Sequence, residues 1–157
     1  MSPPEDDALS GRDERFPRRC RLKRRRLIRA LFDRRRTDTG TVAAGSVRLV
    51  FRVATPGEVG ADVAVQAGFA PGKCPTAVAR NRVRRLLRES YRRHQHTLTD
   101  LFAERPGAVL TLMAIFRGDP EAPEAIHRDL PRALEQAARA LDDRDEEEAG
   151  HAPGAPS

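Results

Sequence analysis

Apolar residues along this chain change period several times, and each change marks an element. From about Leu22 to Arg34, residues Leu27, Ile28, Leu31 and Phe32 fall on one face of a helix, and arginines cover its other sides. Asp38, Thr39 and Gly40 carry loop chemistry. From Ser46 to Thr55 the pattern alternates: Val47, Leu49, Phe51 and Val53 share one side, with Arg48 and Arg52 among the residues opposite, as in a half-buried strand. Pro56-Gly57 reads as a turn, and Val63, Val65, Ala67 and Phe69 alternate after it, so a hairpin is the simplest join. A loop with Pro71, Gly72, Lys73 and Pro75 leads into the longest helix, about Thr76 to Thr97, capped by Thr76. Ala108 to Phe116 is almost wholly apolar, which predicts a strand buried on both faces at the centre of the sheet. Ile126, Leu130, Leu134, Ala137, Ala138 and Leu141 recur at helical spacing, with Pro131 expected to kink this last helix or to mark a later start. The order α-β-β-α-β-α predicts an α+β fold, an open sheet with helices packed on it.

Both ends lack this patterning. Residues 1–14, rich in Pro, Asp, Glu and Gly, and residues 142–157, acidic and then rich in Gly, Ala and Pro, predict disordered tails around one domain over residues 15–141. The formal net charge is +6, yet Asp142, Asp143, Asp145, Glu146, Glu147 and Glu148 mask a more basic body, so polyanions are the implied partners. Of the 29 basic residues only Lys23 and Lys73 are lysines. Guanidinium groups grip phosphate bidentately and stack on bases, although a compositional bias toward arginine accounts for the excess equally well. No apolar run approaches the roughly 20 residues that span a bilayer, and Met1 to Asp7 lacks the charged-then-apolar order of a signal peptide, so a cytoplasmic protein with no membrane partner is expected. Cys20 and Cys74 belong to no C-x-x-C pair or Cys/His array, and His94 and His96 point to different sides of a helix; reduced thiols and no metal site are expected.

The informative stretch runs from Arg80 to Arg93. At about 100° per residue, Arg80, Asn81, Arg84, Arg85, Arg88 and Arg92 share one arc, and Ala79, Val83, Leu86, Leu87 and Ser90 occupy the opposing one. Like charges at i,i+4 oppose helix formation by a few tenths of a kcal/mol per pair, and a bound polyanion reverses that sign. A merely solvated face normally mixes signs, and here only Glu89 interrupts the arginines. Asn81 is a mediocre helix former whose amide can hydrogen-bond a nucleotide or a neighbouring loop.

The run Arg80-Asn81-Arg82-Val83-Arg84-Arg85-Leu86-Leu87-Arg88-Glu89, preceded by Ala77-Val78, resembles the signature R-N-x-x-K-R-x-x-R-E/Q of the bacterial ribonuclease P protein family, with Arg84 where Lys is common. Arg21-Leu22-Lys23-Arg24-Arg25 is similar to that family's basic lead-in to the first helix, and the resemblance covers roughly residues 21–141. It implies a small α+β sandwich shared with domains of a small-subunit ribosomal protein and an elongation factor, with a left-handed β-α-β crossover. It further implies a ribonucleoprotein endonuclease that matures the 5′ end of tRNA, in which a catalytic RNA supplies the chemistry with Mg2+ and the protein binds no cofactor and carries no catalytic residue. The implied partners are that RNA, one per protein monomer, and precursor tRNA. The implied RNA-binding residues are Arg80, Asn81, Arg82, Arg84, Arg85 and Arg88, joined by Lys73 in the loop before the helix and by Lys23, Arg24 and Arg25. A cleft for the single-stranded leader is implied at Ile28, Phe32 and Phe51, where Ile28 replaces an aromatic common in the family. The loop Pro71-Gly72-Lys73-Cys74-Pro75 also departs from the family, keeping one lysine where several are common.

A nuclease working alone needs clustered carboxylates for metal ions or a paired acid and base. Asp33, Glu58, Asp62, Glu89, Asp100 and Asp129 are scattered without such spacing. A ribosomal or other structural RNA-binding protein shares the charge and the basic helix and stays as the alternative. A DNA reader needs a helix with varied base-reading side chains, which a near-pure arginine ridge is not.

Overall fold

The structure is a computed structural model that describes residues 17–151, with side chains up to residue 144. Among these residues the elements are α1 (Arg25–Leu31), β1 (Thr39–Ala44), β2 (Val47–Ala54), α2 (Pro56–Val59), β3 (Val65–Ala70), α3 (Ala77–His94), α4 (His96–Ala103), β4 (Val109–Phe116) and α5 (Ile126–His151). Short 3-10 turns at Arg18–Cys20 and Pro123–Ala125 precede α1 and α5. The four strands form one sheet in the order β1-β2-β4-β3, antiparallel except for the parallel pair β3 and β4. The mixed α+β class follows the sequence expectation. β4 lies inside the sheet, paired on both sides, as its continuous apolar run requires.

Sequence pattern and structure differ at the edge of the sheet. Thr39 and Gly40, expected in a loop, open β1, and the hairpin joins β1 to β2 rather than β2 to β3. Pro56-Gly57 begins a short helix: Thr55 and Glu58 close a capping box, each side chain accepting a hydrogen bond from the other's backbone N–H. β2 is buried on both sides through most of its length, because α1 covers the face that carries Val50 and Ala54. The first helix is shorter than its pattern, since Leu22 N–H donates instead to Ala67 O at 3.0 Å and Arg21 bridges to Ala67 along the outer edge of β3.

Two cores result, one on each face of the sheet. α3, α4 and α5 cover Leu49, Phe51, Val65, Ala67, Leu110 and Leu112, and α1 covers Val50, Ala54, Val109 and Met113 with Leu27 and Leu31. Thr76 caps α3 by accepting from Ala79 N–H at 3.1 Å. The predicted long helix breaks after His94, and α4 follows it. α5 begins at Ile126 and carries Pro131 inside it. Its Asp129, 2% exposed, accepts from the N–H and O–H of Ser46 at 2.8 and 2.7 Å and so pins the helix to the β1–β2 turn. Gly45 stands at φ +54 in that turn, where an added Cβ would lie within 2.6 Å of the Asp129 carboxylate. α5 runs to His151, so residues 142–151, expected as part of a disordered tail, are helical. A helix nucleated on the core propagates cheaply through the strong helix formers there, Glu146 to Glu148 and Ala149. Residues 1–14 and 152–157 of the expected tails lie outside the described residues.

Candidate RNA interface

α3 owes its two faces to the register of its apolar residues. Val83, Leu87, Ser90 and Tyr91 are buried against β3, β4 and α5, and the Tyr91 ring packs on Phe69 with centroids 5.7 Å apart. Burial pushes the Tyr91 hydroxyl's pKa up, which keeps it neutral. The opposite face presents the arginines, and they fall into two groups. Arg84, Arg85 and Arg88 have no carboxylate partner among the described residues; Arg84 Nη1 only shares Asn81 Oδ1 at 3.4 Å. Arg80 and Arg82 are engaged. Arg80 Nη1 donates to Cys74 O at 3.3 Å, tying the preceding loop to the helix, and Arg82 pairs with Glu124 of the turn before α5. Glu89 turns toward Arg93 rather than interrupting the free arginines.

Arg84 and Arg88 also form one wall of a groove of about 430 Å³ at the outer edge of β3. Arg21, Leu22 and Lys23 form the other wall, and Ala67, Gly68 and Phe69 the floor. Lys23, far from the motif in sequence, is thereby brought to it. Arg24 and Arg25 are not: Arg24 precedes α1 and lies against Gly60, and Arg25 is exposed on the first turn of α1, both on the other face of the sheet. Lys73 is exposed beside a second groove of about 540 Å³, lined also by Arg117 and by Phe116 and Gly118. Sequence reasoning missed Arg117, whose only signal is its place directly after β4, at the end of the strand that neighbours β3.

The three residues expected in a leader cleft do not come together. Ile28 is half-buried on the α1 core, and Phe32, at the end of α1, is 50% exposed. Phe51 is 1% exposed in the core on the opposite face of the sheet, with its ring over Gly40. Alternation along β2 dictates this: Val50 and Arg52 face α1, so Phe51 cannot.

Among the described residues no three His, Cys, Asp or Glu side chains converge on a point where a metal ion could sit, and no helix is long and apolar enough to cross a membrane. What the surface offers is fixed positive charge: Arg84, Arg85 and Arg88 on one helix face, the first and last of them beside Lys23 at one groove.

Comparison with known proteins agrees with this chemistry. A solved structure of the Staphylococcus aureus RNase P protein superposes with a TM-score of 0.50 at 18% identity, covering 75% of this chain and 94% of that one, which shows a shared fold. No curated protein matches the sequence. The sequence pattern of the family described as Ribonuclease P matches residues 16–141, the whole of the two-core domain, and the chain belongs to that family.

Proposed function

We propose that this chain binds the catalytic RNA of ribonuclease P through the free arginines of α3 and holds the single-stranded 5′ leader of precursor tRNA along the groove at the edge of β3. Membership of the family makes it a ribonuclease P protein of tRNA processing with an RNA partner. The observation that carries the finer reading is the meeting of Lys23, Arg84 and Arg88 around one groove. A single strand needs a cationic track with flat surfaces along its path: Phe69 lies on the floor of the groove, and Phe32, exposed at the end of α1 beyond it, offers another to a strand that continues past the groove.

The protein's part is electrostatic and geometric. Its arginines offset the repulsion between two RNAs, and counterion release upon contact drives the association. In this reading the cleavage chemistry and the Mg2+ it uses belong to the RNA, in a complex of one protein with one RNA. The test is binding of precursor and mature tRNA to the complex reconstituted with a bacterial ribonuclease P RNA. Lys23→Ala, which leaves the α3 arginines in place, is expected to weaken the precursor several-fold and leave mature tRNA unchanged; equal weakening of both contradicts the leader assignment.

A further inference from the structure

Arg52 is 3% exposed inside the sheet, on the face that α1 covers, where strands rarely hold a guanidinium. Its Nη2 donates to Glu58 Oε2 at 3.0 Å, its Nη1 lies 3.5 Å from Asp38 Oδ2, and its Nε is buried without a hydrogen bond. Each partner is held by something else. Glu58 closes the capping box of α2, and its backbone carbonyl accepts from Arg26 Nη2 of α1 at 2.9 Å. Asp38 accepts from Arg36 Nε and Nη2 at 2.9 and 2.8 Å, which orders the loop between α1 and β1. Arg52 is therefore the node where β2, α2, that loop and, through the Glu58 backbone, α1 meet.

α1 needs such a node. It has seven residues and no side-chain cap, too short to hold itself in water. Leu27 and Leu31 anchor its underside, but apolar contacts are non-directional and do not set its angle over the sheet.

We propose that Arg52 is a positioning residue for the exposed end of α1: by fixing α2 and the 33–38 loop it sets where α1 presents Phe32 to the leader. This rests on the proposed leader assignment. The carboxylates that Arg52 holds are 47% and 44% exposed at their side chains, so its removal leaves them hydrated and not stranded in the core. An apolar residue of similar length at position 52 thus spares the sheet and frees the clamp.

Arg52→Met and Arg52→Lys in the full chain test this in two ways. Amide hydrogen exchange of the free protein needs no RNA: exchange at residues 25–31 and 56–59 is expected to quicken about tenfold or more in Arg52→Met, to recover partly in Arg52→Lys, and to stay unchanged at Val83 to Tyr91. In the complex with a bacterial ribonuclease P RNA, KM for a precursor with a long leader is expected to rise several-fold at unchanged kcat, with little change for a precursor carrying a one-nucleotide leader. Unchanged exchange at 25–31, or equal acceleration along the whole chain, overturns the clamp. Quickened exchange with equal KM changes on both precursors overturns its link to the leader. If the unsubstituted complex itself shows no leader dependence, the proposed function fails and the leader role of Arg52 with it, while the exchange result still reports on the clamp.

Discussion

Replacing Arg84, Arg85 and Arg88 together by Gln removes three guanidinium groups of α3 that no described carboxylate neutralises. Gln has nearly the helix propensity of Arg, and relief of the Arg84–Arg88 repulsion returns a few tenths of a kcal/mol, so the fold should be as stable as before or slightly more so. Each phosphate contact contributes about 0.7–0.9 to the slope of log affinity against log salt, so losing three flattens the slope by about 2–3. Between about 0.05 and 0.2 M monovalent salt, a span of about 0.6 log units, the unsubstituted protein should then lose ~20–40-fold more affinity than the variant. Fluorescence anisotropy of labelled ribonuclease P RNA across this range measures the slopes, and circular dichroism checks the fold. Arg82→Gln is the internal control: Glu124 already partly neutralises Arg82, so its slope should fall by less than one full contact. A triple variant that is folded and keeps the original slope would refute the assignment of α3 as the RNA-facing helix.

The two phenylalanines separate packing from recognition. Phe51→Ala should destabilise the fold by about 3–5 kcal/mol in urea unfolding, through the cavity left in the α5-side core, and affect precursor and mature tRNA alike. Phe32→Ala should leave stability unchanged and weaken precursor binding by about 1–3 kcal/mol, the value of a stacked base; equal effects on both tRNAs would exclude a stacking role. Asp129 titrates at about 2, below its ordinary 3.8, chiefly because Arg128 donates to it and Ser46 adds two hydrogen bonds. Its folded pKa is depressed, so its stabilisation of about 2 kcal/mol is fully present above about pH 4 and fades as pH falls through 2. Asp129→Asn should therefore be less stable than the original at neutral pH and nearly equal to it near pH 2; a pH-independent difference would show that the charge is not what pins α5.

Much of this was legible in the chain, and what was not depends on contacts distant in sequence. The run Val109 to Phe116 has no polar face, so it could only be a central strand. Thr76 is a capping residue three positions before the N–H it accepts from, a purely local signal. β1 was hidden because Thr39-Gly40-Thr41-Val42-Ala43-Ala44 has little apolar alternation and its glycine is there to accept the Phe51 ring from the neighbouring strand. The misplaced hairpin had a readable remedy: Thr55 and Glu58 stand at capping-box spacing, which outweighs the turn chemistry of Pro56-Gly57. The motif helix showed its arginines but not their division, since Cys74 and Glu124 engage Arg80 and Arg82 only once the loop and the turn before α5 fold onto α3. Phe51 and Arg52 exchanged their expected places for the same reason. Alternation gives two faces, and only the position of α1 says which of them a cleft can use.

The most direct measurement is cleavage of a precursor tRNA at low magnesium by a bacterial ribonuclease P RNA, with this protein, without it, and with the protein alone. The account predicts that only the combination cuts at the 5′ end of the mature tRNA. Cleavage by the protein alone, or no stimulation of the RNA by a folded protein, would contradict it.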